Sequence, residues 1–383
     1  MVAEVTVEKL KSRVSGGVIA AGDEGYDEAR KVLNGMIDRR PRVIVQAAGI
    51  DEVVAAVDVA RESGLELAVR GGAHSVPGFG TSDDGIVIDL SPMSTVTVDP
   101  ERRTARAGGG TTWGAFNEAT GAHGLATTGG IISTTGVGGL TLGGGIGYLA
   151  RGHGLSLDNL VSAQVVTAEG RSVTASETEN EDLFWALRGG GGNFGVVTEF
   201  EFRLHPVAEI YGGPLFFEKE HAGDVLRFYR EFIQDAPEEF GGFPAWQIAP
   251  PLPFIPEDRH GDTFLAFVAC WAGPVEEGES ILKGLRDIAP VAAEHVGAMP
   301  YAALNSAFDG LYPPGLQQYW KANFVKELTD EAIDAHLEHG PSVPTVNSTM
   351  HIYPINGACH RVAADETAFA YRDATFAMVI VAS

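Results

Sequence analysis

Arg70-Gly-Gly-Ala-His74-Ser-Val-Pro-Gly78-Phe-Gly80 is the stretch on which the reading of this chain turns. Its glycines let the backbone turn tightly and bring N–H groups close to a ligand, with phosphate oxygens as natural acceptors. Arg70 adds a positive charge suited to a pyrophosphate. A histidine held in so short a loop has little freedom, which suits it to bond a ligand carbon. A hydrogen-bonded histidine in an ordinary turn has the same local sequence, so the flanks must decide. Upstream, Arg42-Val-Ile-Val-Gln46 reads as a strand, and Ile50–Ser63 carries Val53, Val54, Val57 and Ala60 at helical spacing. Leu65-Glu-Leu-Ala-Val-Arg70 reads as the next strand. This β-α-β unit delivers Arg70 and the histidine loop to a sheet edge.

Two further glycine stretches follow. Thr127–Arg151 includes Gly129, Thr135-Gly136-Val-Gly-Gly139, Gly143 and Gly145-Ile-Gly147. Gly145-x-Gly147-x-x-Ala150 matches the dinucleotide fingerprint formally, but more glycines stand where that fingerprint needs a hydrophobic strand. A nicotinamide-dependent dehydrogenase is therefore a weaker reading than a long wall of backbone N–H groups facing an extended polyanion. Arg188-Gly-Gly-Gly-Gly-Asn193-Phe-Gly-Val-Val197 lies between a helix-like run and a strand, as a hinge or as backbone packed on something flat.

Bulk properties narrow the class. The 383 residues carry a net charge of -24, which opposes binding to nucleic acid. Cys270 and Cys359 are too few and too distant for a disulfide framework or a zinc site, so no metal is expected. No run is long and apolar enough to span a membrane, and Met1-Val-Ala-Glu does not open a secretory signal, so a cytoplasmic location is expected. Short strands are expected at 85–90, 94–99, 104–108, 160–167 and 195–204, with a helix over 112–122. Beyond His205-Pro206 glycine thins out, and aromatics, prolines and an amphipathic helix over 222–234 appear. A boundary is placed near residue 208. Ala249-Pro-Pro-Leu-Pro-Phe-Ile-Pro256 reads as a proline-rich surface segment.

The three glycine motifs, in this order and spacing, resemble the FAD-linked oxidases of the vanillyl-alcohol oxidase type, in their berberine-bridge-enzyme-like branch. The resemblance extends to Gly154-Leu-Ser-Leu-Asp158-Asn159 and Leu204-His-Pro206. It implies an α+β fold: a two-subdomain, PCMH-type FAD-binding domain over residues 1–208, and a substrate domain over 209–383 with an antiparallel sheet covered by helices. It implies FAD bound covalently through His74, with Arg70, Gly71, Gly72, Ala73, Ser75, Gly78, Gly129, Thr135, Gly136, Gly139, Gly143, Gly147, Asn193 and Val197 around the cofactor. Many members carry a second, cysteinyl linkage. Aligned from Gly136-Val-Gly-Gly139 that position is Ile132, which cannot form a thioether, so attachment at His74 only is expected. The tyrosine frequent in the Gly-Gly-Gly-Tyr-Gly run is Ile146 here. Relatives usually end in a closing segment that returns to the flavin domain, whereas this chain stops at Ala377-Met-Val-Ile-Val-Ala-Ser383, read as a strand of the substrate domain. A non-catalytic flavin-binding remnant is thus the alternative to an enzyme.

For such an enzyme the resemblance implies hydride transfer from an alcohol, sugar or amine to the flavin, with molecular oxygen as the acceptor. Thr135, beside Gly136, is small enough to leave oxygen access open. Tyr148, His351, Tyr353 and Tyr371 are the candidates for the base that takes the substrate proton. Trp246, Trp271, Tyr312 and Trp320 are the aromatics available for stacking in the substrate domain, most of them expected in its core.

Overall fold

The computed structural model describes residues 2–383, with side chains from residue 6 onward. Among the described residues, three sheets and a short antiparallel pair, Leu125–Ala126 with His205–Pro206, account for the strands. In the first, Val43–Gln46, Ile86–Asp89 and Leu67–Arg70 run parallel, and Gly17–Ala20 adds an antiparallel edge. Helix Ile50–Ser63 covers it with Val53, Ala56, Val57 and Ala60, and stops at Gly64 in the left-handed conformation, φ 63°. Each valine in this layer contributes roughly 1.5–3 kcal/mol by burial, and each alanine less. Leu67–Arg70 is the edge strand, so the chain leaves the sheet directly into the histidine loop.

The second sheet is antiparallel, in the order Val96–Asp99, Thr104–Gly108, Val196–Arg203, Leu160–Val166 and Ser172–Ser176. Helix Trp113–Gly121 packs Trp113 and Phe116 onto Phe202 of this sheet. The two sheets together form the N-terminal α+β lobe.

The third sheet has eight strands, all drawn from Glu209 onward. Its spatial order is Val291–Glu294, Glu209–Phe217, Thr263–Trp271, Phe243–Ile248, Thr349–Pro354, Phe376–Ala382 and Tyr319–Val325, with Gly297–Pro300 also pairing with Glu209–Phe217. Alternation along Thr349–Pro354 separates its two faces. Met350 and Ile352 enter a core with Tyr229 and Leu226 of helix Ala222–Asp235 and Leu282 of helix Gly278–Ile288. His351 and Tyr353 point the other way, toward Phe243. Trp246 and Trp271 belong to the helix-covered core and are not available for stacking on a substrate. Ala249 and Ile255 are likewise buried, under Phe216 and Phe264, so the proline-rich segment is only partly surface.

Polar contacts join the lobes. Arg151 donates to the carbonyls of Ile233, Ala236, Pro237 and Phe240 at 2.7–3.1 Å and to Asn356 at 2.7 Å. These include carbonyls that the end of helix Ala222–Asp235 leaves without intrahelical partners. Asp158 and Arg372 form a buried bidentate pair at 2.6 and 2.9 Å.

Candidate flavin site and active site

The histidine loop and the second glycine stretch meet backbone to backbone. A β-carbon on Gly72 would overlap the nitrogen of Gly136, and one on Gly136 would overlap the nitrogen of Gly72. That approach is open only to glycine, and it sets His74 against Thr134 and Thr135. The Thr134 hydroxyl lies 3.0 Å from His74 Nε2, and the Thr135 hydroxyl lies 3.2 Å from Nδ1. A hydroxyl can donate or accept, so the pair accommodates either tautomer. Ala73 holds φ 59°, a strained value for a residue with a β-carbon, and its carbonyl accepts from the Leu33 amide at 3.1 Å. Ser75 closes the turn by accepting from the Phe79 amide at 3.0 Å.

Burial pushes the His74 pKa down from 6.5 to about 4, and the Asp309 charge acts in the opposite direction. The imidazole is therefore neutral at physiological pH, with a nitrogen lone pair available. Asp309 reaches this corner from the segment after helix Tyr301–Ser306. Its carboxylate accepts from the Ser133 amide at 2.8 Å and from the Ser133 hydroxyl. Nothing in the local sequence around Asp309 marked it as part of the site.

The glycines divide into two kinds. Gly139 and Gly143 are exposed, share one face of helix Val137–Gly143 at i, i+4 spacing, and a β-carbon on either would meet nothing within 4 Å. The same openness holds at Gly191 and Gly192, beside the exposed Asn193. These positions leave bare backbone for an extended cofactor, and with a neutral histidine alongside, the residues present fit FAD. Gly129 and Gly147 instead pack on one another, and Gly129 also lies against the Trp113 ring. Gly71 abuts the Gly109 carbonyl and Gly78 abuts Ile37. Val197 is buried in its strand behind Gly109. These residues are close-packed on their protein neighbours, so a larger side chain at any of the glycines would displace backbone or a core side chain.

Arg70 requires a correction. Its guanidinium pairs with Asp89 at 2.7 Å and donates to the carbonyls of Ala29 and Lys31, all in the interior. Leu67–Arg70 and Ile86–Asp89 are paired parallel strands with Arg70 opposite Asp89, and this register creates the ion pair. The charge is already neutralised, so it does not serve a pyrophosphate.

The candidate bases also separate. Tyr353 and His351, two residues apart on one strand face, share a hydrogen bond between the hydroxyl and Nδ1. Burial drives His351 down to about 3 and the Tyr353 phenol well above its ordinary value, so both are neutral. Tyr148 stacks on Phe243 at 5.8 Å, but its hydroxyl is enclosed without a partner, and burial pushes its pKa far up. It packs in one cluster with Phe243 and Tyr353. Tyr371 is 49% exposed and stacks on Phe324 at 4.2 Å, so it is a surface residue. Ile132 is buried with Tyr312 and Val381, against Trp320 and Val379 of the large sheet. That contact places Tyr312 and Trp320, unlike the other two aromatics, on the face turned to the flavin lobe. Among the described residues no cluster of three metal-ligating side chains occurs, and no helix is long and apolar enough to cross a membrane.

Comparison with known proteins agrees with this geometry. Residues 41–176 match the family described as an FAD binding domain. An FAD-linked oxidoreductase of Dictyostelium discoideum is 30% identical over 379 residues, covering 97% of this chain and 80% of that protein. The (R)-6-hydroxynicotine oxidase of Paenarthrobacter nicotinovorans is 39% identical over 192 residues, half of this chain and 42% of the relative. Among solved structures, the glucooligosaccharide oxidase of Acremonium strictum, described with a 6-S-cysteinyl, 8α-N1-histidyl FAD, superposes with a TM-score of 0.83. It is 26% identical, over 98% of this chain and 81% of that one. A β-α-β edge that hands its loop to a clamped neutral histidine, a bare glycine face beside it, and kinship over nearly the whole chain converge: this protein belongs to the FAD-linked oxidoreductases of the vanillyl-alcohol oxidase type.

Proposed function

We propose that this enzyme is an oxidase that carries FAD on His74 alone, oxidises an alcohol, sugar or amine, and is reoxidised by molecular oxygen. The observation that carries this is the clamp on His74: a neutral imidazole held at both nitrogens by Thr134 and Thr135, beside the open glycine face. When bound, the flavin supplies the hydride acceptor. The chain orients it: Gly139 and Gly143 leave room for it, and His74 fixes one edge. The His351–Tyr353 pair, on the sheet face turned to the flavin lobe, can hold or relay the substrate's O–H or N–H proton between two neutral groups. Ile132 supports single attachment, since counting back from Gly136-Val-Gly-Gly139 puts a hydrocarbon side chain at the position read as that of the cysteinyl linkage. The glucooligosaccharide oxidase and the hydroxynicotine oxidase support the breadth of substrate class.

The test is acid precipitation of the protein loaded with FAD, followed by intact-mass measurement. One FAD should remain bound to the wild type and none to His74→Ala. Release of all flavin from the wild type overturns the tether. Reduced protein that persists in air-saturated buffer, yet reacts with an artificial acceptor, overturns oxygen as the acceptor.

A further inference from the structure

Asp309 lies outside every glycine motif, 176 residues from Ser133, yet its carboxylate takes both the amide and the hydroxyl of Ser133. Ser133 is followed by the two threonines that hold His74, and the Ser133 carbonyl accepts from the Gly114 amide at 2.8 Å. The same segment is pinned again where Asn305 donates to the Gly130 carbonyl. The substrate-side lobe thus grips the turn that clamps the histidine, and Asp309 brings that grip its negative charge.

We propose that Asp309 is a positioning residue for flavin attachment, holding the Thr134–Thr135 clamp in register and stabilising the positive charge that the imidazole gains as it bonds to the flavin. It rests on the reading that His74 is the tether. In that step the free imidazole nitrogen forms a C–N bond to the 8α carbon. One methyl C–H bond and the imidazole N–H bond break. The two electrons and two protons go to the flavin ring system, and molecular oxygen then removes them as hydrogen peroxide. Until the N–H proton leaves, the ring is cationic in a largely buried site, where a nearby carboxylate acts strongly. Electrostatic pull from Asp309 on His74 has the sign this requires.

The experiment mixes full-length protein with FAD in air-saturated buffer and follows acid-stable flavin with time, alongside non-covalent binding by flavin fluorescence quenching. Asp309→Asn keeps an acceptor for the Ser133 amide and removes the charge. It should bind FAD within about twofold of wild type but attach it on the order of tenfold more slowly. Asp309→Glu should restore most of the rate, because it returns the charge. Wild-type attachment rates in Asp309→Asn overturn the proposal. Parallel loss of FAD binding and thermal stability, without rescue by Asp309→Glu, also overturns it by showing a merely structural role. If the wild type forms no acid-stable flavin, the tether itself has failed and this inference falls with it.

Discussion

Gly72 and Gly136 touch through their backbones, each occupying the space where the other's β-carbon would stand. The contact brings residues 64 positions apart in sequence into one corner and leaves His74 nowhere to go but against two threonines. Gly139, three residues further on, has open space instead. Opposite outcomes follow. Gly72→Ala should destabilise the protein by about 2 kcal/mol or more through overpacking and abolish flavin attachment. Gly139→Ala should leave the flavin-free protein as stable or up to about 1 kcal/mol more stable, through helix propensity, while weakening FAD binding. Urea unfolding and a flavin titration of both variants check this. Equal FAD affinity in Gly139→Ala and wild type would show that the bare face is not a cofactor wall.

Arg151 is a helix cap supplied from another lobe. Replacing it by methionine preserves much of the stem but strands four carbonyls and Asn356. A loss on the order of 3 kcal/mol is expected, and lysine should rescue little, because one ammonium cannot span the fork's partners. Denaturant midpoints measured on the three proteins decide it.

Buried histidines make stability fall with acid. His336 is held neutral by burial, with its pKa lowered from 6.5 to about 4. Between those two values the unfolded chain binds a proton that the folded chain refuses, so the unfolded state binds more protons and stability decreases as pH falls. The slope from one such group is at most about 1.4 kcal/mol per pH unit. His336→Gln should therefore show a shallower fall in stability from pH 6.5 to 4 than wild type. Parallel curves for the two proteins across that window would contradict the assignment.

Ile132 offers a gain-of-linkage test. Ile132→Cys places a thiol two residues from the threonine that touches His74 Nε2. A fraction of the loaded variant should carry the flavin at both positions, joining the peptides that contain residues 74 and 132 after proteolysis. Mass spectrometry showing the histidyl peptide alone would mean that the thiol cannot reach the ring.

Local pattern made much of this fold legible. Helical spacing gave Ile50–Ser63 its full extent, and alternating apolar residues located the strands Leu160–Val166 and Val196–Arg203. His74 and Thr135 were both visible within glycine-rich stretches. What sequence could not separate was a glycine squeezed by another backbone, as at Gly129, from one left bare, as at Gly143, since only tertiary neighbours distinguish them. Arg70 read as a free charge because its partner Asp89 is set by parallel strand register. Asp309 sits in an unremarkable turn whose importance comes entirely from long-range packing. Trp246 and Tyr312 are alike as aromatic residues, and only the side of the sheet each occupies assigns one to the core and the other to the face near Ile132.

The bonds between lobes have a further consequence for how the molecule comes apart. Arg151 reaches into the end of helix Ala222–Asp235, Asp158 is locked to Arg372, Ser133 to Asp309, and Asn34 bridges the Val76 and Gln318 carbonyls. Neither lobe can open without leaving buried donors and carbonyls unanswered in the other. Unfolding should therefore be a single cooperative event, and a protease should find no long-lived half-molecule to release.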